Sequence, residues 1–221
     1  MELAYTAHVP AGPGPFPTIL ALHGWGASAH DLLGLAPILH AGQALVLCPQ
    51  GPVTTPIGPG MQGYGWFPLT RGGPLRADAL EAGVAQLEGF LERALTRYPI
   101  RKDRLVLLGF SQGGVMAYRL FLERPERFAG LIALSSWLPA ELADRLPVAT
   151  EPSDRPVLVM HGTQDPMIDV ERARESRTRL IQRQLPLTYR EYEMGHEIGR
   201  DSLRDLCAWL EDKVLRPVQL L

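Results

Sequence analysis

What most constrains this chain is the way its hydrophobic period changes along its length. Thr18–Leu22, Ala44–Cys48, Arg104–Phe110, Gly130–Ser135, Pro156–His161 and Thr188–Tyr192 read as short strands. Most are continuous apolar runs rather than alternating ones, as expected of strands buried on both faces of a parallel sheet. Between them lie stretches of helical period. Asp78–Tyr98 is the clearest, with Leu80, Val84, Leu87, Leu91 and Leu95 along one face. Gln112–Glu123, Val170–Gln184 and Ile198–Leu215 are the others. Alternating strand and helix predicts an α/β chain, a doubly wound, mostly parallel sheet with helices on both faces. The 221 residues suit one domain over 1–221, and 46% hydrophobic content supplies a sizeable core.

One segment breaks the rhythm. Gly51–Pro74 is dense in Gly and Pro, yet carries Met61, Tyr64, Trp66, Phe67 and Leu69. A long stretch without regular structure is usually functional or disordered, and aromatics argue for burial. It reads as a folded loop at the carboxyl edge of the sheet, where ligands of such folds bind. Trp66 and Phe67 are expected to wall a site there.

Gly109-Phe110-Ser111-Gln112-Gly113 matches G-x-S-x-G after a strong strand and before a helix, the context that motif requires. A serine on so tight a turn projects its hydroxyl from the sheet edge. The helix that follows offers unpaired N–H groups and a positive dipole end to a developing oxyanion. A serine hydroxyl needs a base, and in this topology the order is serine, acid, histidine. Of the two later histidines, His161 ends a strand and reads as structural. His196, in Met194-Gly195-His196-Glu197 after the last strand, reads as the base. Asp165, in the turn after Pro156–His161, is the acid; Asp169 reads as a helix cap. The first strong strand runs into His23-Gly24-Trp25-Gly26, which places the Trp25 N–H opposite the nucleophile, with the Gln112 N–H as second donor. His23 is expected to brace that loop; His8, His30 and His40 have no constellation around them. Trp25, Trp66, Phe67, Trp137, Leu138, Met167 and Ile168 flank these loops and are the pocket candidates.

Together Leu22-His23-Gly24-Trp25-Gly26, Gly109-Phe110-Ser111-Gln112-Gly113-Gly114, Leu134-Ser135-Ser136-Trp137-Leu138-Pro139, His161-Gly162-Thr163-Gln164-Asp165 and Gly195-His196 resemble the phospholipase/carboxylesterase family, which includes acyl-protein thioesterases. The resemblance implies the α/β-hydrolase fold and hydrolysis of esters or thioesters without metal or organic cofactor. It also supports Trp25 and Gln112 as oxyanion donors. Family members often have Leu where this chain has Trp25, and there is no long lipase-type lid insertion.

A formal net charge of -2 gives no electrostatic reason to expect nucleic acid as a partner. No apolar run approaches the ~20 residues that span a bilayer. Met1–Tyr5 lacks the basic start and apolar stretch of a signal peptide, so the expected location is cytoplasmic. Cys48 and Cys207 are then expected to be free thiols. A small-molecule ester or thioester is the expected partner, and the sequence allows a homodimer. The expected function is a serine carboxylesterase for small to medium acyl esters. The alternatives are an acyl-protein thioesterase or lysophospholipase acting on longer chains, and a non-catalytic binding module on the same fold.

Overall fold

The computed structural model describes residues 2–69, 75–146 and 153–215. Its strands are β1 (Tyr5–His8), β2 (Phe16–Leu22), β3 (Leu45–Pro49), β4 (Val53–Gly58), β5 (Met61–Gly65), β6 (Ile100–Phe110), β7 (Gly130–Leu134), β8 (Val157–Gly162) and β9 (Leu187–Tyr192). The helices are α1 (Ala77–Arg97), α2 (Gln112–Glu123), α3 (Ala140–Arg145), α4 (Val170–Gln182) and α5 (Arg200–Trp209). A seven-stranded sheet runs in the order β1-β3-β2-β6-β7-β8-β9. Only β1 is antiparallel, pairing with β3; every other neighbour is parallel.

The continuous apolar runs are explained by two cores, one on each face. Leu20, Leu107, Leu131 and Val159 meet Leu87, Phe90, Tyr118 and Phe121 from α1 and α2. Their chain neighbours Ile19, Val106, Ile132 and Leu158 point the other way, toward Leu206, Trp209 and Leu210. Successive side chains alternate faces along a strand, and here both faces are dry. Burying a Leu, Ile or Val side chain is worth ~1.5–3 kcal/mol, so these central strands anchor the molecule.

Three places differ from the sequence expectation: α3, a short helix where the sequence analysis reads none, the edge strand β1 and the segment Gly51–Pro74. Tyr5–His8, an edge strand half-buried throughout, has too mixed a pattern to signal itself. Gly51–Pro74 is no irregular loop over its described part. β4 and β5 form an antiparallel hairpin with Val53 opposite Gly65 and Pro56 opposite Gln62; residues 70–74 lie outside the described residues. The hairpin then continues the pairing onto the segment after β2, where Gly26 N–H donates to Tyr64 O at 2.8 Å and Tyr64 N–H to Ala27 O at 2.9 Å.

Candidate active site

Ser111 sits where β6 turns into α2, at φ 53° and ψ -120°. That corner is held by its backbone. Ser111 N–H donates to Leu134 O on the neighbouring strand at 2.9 Å, and the Ser136 hydroxyl donates to Ser111 O at 2.7 Å. Gly113 cannot carry a side chain, because a Cβ there would overlap the carbonyl of Leu22. The elbow and the end of β2 therefore lie backbone against backbone.

His196 Nε2 lies 3.0 Å from Ser111 Oγ, and His196 Nδ1 lies 2.7 Å from Asp165 Oδ2. A carboxylate only accepts, so Nδ1 carries the proton and Nε2 offers its lone pair to the serine hydroxyl. Phe110 packs its ring 4.9 Å from the imidazole, centre to centre, so the residue before Ser111 lies against the histidine. The Asp165 side chain is completely buried. Its Oδ1 accepts the N–H groups of Met167 at 2.8 Å and Ile168 at 2.9 Å. The loops bearing Asp165 and His196 are laced together, Thr163 N–H to Tyr192 O at 2.8 Å and Gln164 N–H to Met194 O at 3.1 Å. Asp169 instead caps α4, accepting Glu171 N–H at 2.9 Å.

Gly24 approaches the elbow so closely that a Cβ on it would stand 3.2 Å from Ser111 Cβ. Trp25 follows directly, and Gln112 opens α2. Among the described residues neither Trp25 N–H nor Gln112 N–H has a backbone acceptor, as befits the end of a strand and the first turn of a helix. His23 braces this loop, its Nδ1–H donating to Gly24 O at 2.7 Å while Nε2 accepts Gly51 N–H at 2.9 Å. Burial lowers the pKa of His23, in keeping with a neutral ring that must both donate and accept.

A scan against family models matches residues 9–213 to the phospholipase/carboxylesterase model. The chain belongs to the phospholipase/carboxylesterase family. Acyl-protein thioesterase 1 of Cryptococcus neoformans is 29% identical over 195 residues, which cover 85% of this chain and 81% of the relative. Acyl-protein thioesterase 1 of Mycosarcoma maydis is 28% identical over 227 residues, covering 91% and 92%. The crystal structure of esterase PE8 superposes with a TM-score of 0.84 at 25% identity, over 97% of this chain and 100% of that one. This member of the family is an α/β-hydrolase and a serine hydrolase.

The pocket candidates separate into two groups. Trp66 and Phe67 are wholly buried core residues, not walls of an open site. Their backbone explains why: the Gln112 side chain accepts Trp66 N–H at 2.8 Å and donates to Phe67 O at 2.6 Å, which pulls both inward. The Trp66 indole N–H then donates to His23 O at 2.9 Å. Leu138 and Ile168 are likewise buried, and Ile168 donates its backbone N–H to Asp165. Trp25 and Trp137 are half-buried, and Met167 is 73% exposed. Arg172 stands over the Trp137 ring at 4.4 Å. The Trp25 ring packs against β5, where a Cβ at Gly65 would overlap it. A cavity of ≈ 360 Å³ among α1, α2 and α3 is lined by Leu80, Arg119 and Leu142 and touches none of Ser111, His196 and Asp165. Among the described residues no three His, Cys, Asp or Glu side chains gather to hold a metal, and no helix is long and apolar enough to cross a membrane. Cys48 and Cys207 are free. Sequence reasoning missed Phe110 and Ser136, whose roles are contacts with no motif of their own.

Proposed function

We propose that this chain is a carboxylesterase for small to medium acyl esters, acting through Ser111, His196 and Asp165 and an acyl-enzyme intermediate. The observation that carries the reading is the unbroken hydrogen-bonded chain from Ser111 Oγ through His196 to the buried Asp165 carboxylate. With its Nδ1–H held by Asp165, His196 takes the serine proton on Nε2 as Oγ attacks the substrate carbonyl. The N–H groups of Trp25 and Gln112 receive the oxyanion. His196 returns the proton to the departing alkoxide, and water repeats the sequence to release the acid. Removing an oxyanion donor typically costs ~3 kcal/mol of transition-state stabilisation, so the loop bearing Trp25 contributes to catalysis alongside the side chains.

Support for small acyl groups comes from Trp25, a large half-buried aromatic packed against Gly65 of β5 on the loop that carries a proposed oxyanion donor. A second reading, thioester hydrolysis on longer chains, is favoured by the names of the fungal relatives. The same residues would serve, with a thiolate leaving in place of an alkoxide. A fluorophosphonate probe together with matched ester and thioester chain-length series tests both. Labelling and turnover are expected in the native protein and lost in Ser111→Ala, with short-chain esters turned over fastest. Faster turnover of long-chain thioesters would install the second reading. A native protein that resists the probe would mean a binding module.

A further inference from the structure

His161 ends β8 four residues before Asp165, and its side chain is completely buried. Its Nε2 lies 2.8 Å from Ile168 O. A carbonyl only accepts, so the ring carries a proton on Nε2. Nδ1 meets no protein partner among the described residues. A hydrocarbon side chain would fill this space without burying an unpaired nitrogen. What histidine contributes here is the Nε2–H, and Ile168 O receives it.

Ile168 is also where the surroundings of the Asp165 carboxylate are set. Its N–H and that of Met167 hold Oδ1, which leaves Oδ2 to face His196. One residue thus gives its N–H to the carboxylate and its carbonyl to His161. The buried Ile168 side chain anchors the loop in depth, while the Met167 side chain is exposed. Packing alone does not orient a peptide plane; a hydrogen bond to its carbonyl does. His161 Nε2 is 3.5 Å from Asp165 Oδ2, too far for a hydrogen bond, so the hydrogen-bonded route from His161 to the carboxylate runs through Ile168.

We propose that His161 is a positioning residue: its Nε2–H orients the Ile168 peptide and, through the Met167 and Ile168 amides, aims the Asp165 carboxylate at His196. The inference rests on the triad proposed above. It is tested with His161→Leu, His161→Gln, His161→Asn, Asp165→Ala and the double variant His161→Leu with Asp165→Ala, measuring kcat, KM and melting temperature on one neutral short-chain ester. His161→Leu is expected to lower kcat on the order of 10- to 100-fold with KM near wild type, the scale of a small misalignment of reacting groups. Glutamine, whose amide reaches about as far as Nε2, is expected to recover most of the rate. Asparagine, which reaches only as far as Nδ1, is not. In the Asp165→Ala background the leucine change is expected to add nothing, because the group it positions is gone. Wild-type kcat in His161→Leu, full multiplication of the two losses, or equal rates for the glutamine and asparagine variants would each overturn the proposal. If the leucine variant fails to fold, the glutamine–asparagine comparison decides alone. Asp165→Ala turning over at the wild-type rate would overturn the triad and this inference together. An impaired Asp165→Ala beside an unimpaired His161→Leu would overturn this inference alone.

Discussion

At the scale of single residues the elbow trades backbone comfort for geometry. Ser111 at φ 53° occupies a corner that glycine enters freely and other residues enter at a cost of ~1–3 kcal/mol. Alanine shares that cost, so Ser111→Ala should melt close to wild type. Ser111→Gly should melt above Ser111→Ala, because it relieves the corner, and both should lose nearly all turnover. Differential scanning calorimetry beside an ester assay checks the pair; a glycine variant that melts below the alanine variant would contradict a strained elbow. Asp165 and Asp169 offer a second comparison. Asp165→Asn should cut kcat by roughly 10⁴-fold, the scale seen when a triad acid is replaced by its amide. Asp169→Asn removes only the charge from an exposed cap and should leave kcat within a few-fold. If Asp169→Asn proves the more damaging, the geometry around His196 has been misread. The proposed nucleophile, acid and base were all legible as residues, because each lies in a turn that follows a strand, Ser111 after β6, Asp165 after β8 and His196 after β9. The partners that hold them were not. Phe110, Ser136 and Ile168 act through a ring face, a hydroxyl on a carbonyl and a peptide group, none of which leaves a mark in residue type.

Among the elements, the hairpin β4–β5 is where sequence and structure part. Its glycines and prolines suggest irregular chain, and a strand rich in glycine has little side-chain pattern to show. Tertiary contact supplies what the pattern lacks: Gly65 lies under the Trp25 ring, and Tyr64 pairs with the loop carrying the proposed oxyanion donor. The aromatics that suggested a pocket wall are instead the root of the hairpin, with Trp66 at zero exposure and hydrogen-bonded to His23 O. Trp66→Ala should therefore lower stability by ~3–5 kcal/mol, the usual cost of emptying a large aromatic from a core. Any surviving activity should fall alike for every acyl length. Melting temperatures and a chain-length series measured on the same preparation test this. A shifted chain-length optimum with an unchanged melting temperature would return Trp66 to the substrate site. The parallel strands, by contrast, were readable to within a few residues, since burial on both faces forces long apolar runs that no hairpin of this kind needs.

Across the whole molecule, one buried imidazole ties the sheet, the hairpin and the proposed oxyanion loop together, and this makes stability depend on pH. His23 donates to Gly24 O and accepts from Gly51 N–H, while its ring packs 5.2 Å from Trp66, centre to centre. Burial lowers its pKa below the ordinary 6.5, outweighing the hydrogen bond to Gly24 and the distant charge of Asp31, which raise it. In the unfolded chain the imidazole binds a proton as pH falls through 6.5, and in the native state it resists. The unfolded state therefore holds more protons in that window, and stability decreases as pH drops below 6.5. The loss from one such group cannot exceed about 1.4 kcal/mol per pH unit. Protonation would also set Nε2–H against Gly51 N–H, two donors face to face, so the acid-sensitive region is the junction of β2, the hairpin and the proposed oxyanion loop. Glu191 contributes separately and lower down. Paired first with Arg174, its carboxyl is held at about 2, so its share is lost only as pH falls below its ordinary 4.5. Denaturant unfolding at pH 7.5 and 5.5 should show the native protein losing stability over that interval. His23→Gln, which can still donate and accept but does not titrate, should lose distinctly less over the same interval, even if it is less stable throughout. Equal pH dependence in the two proteins would show that His23 is not the group that titrates.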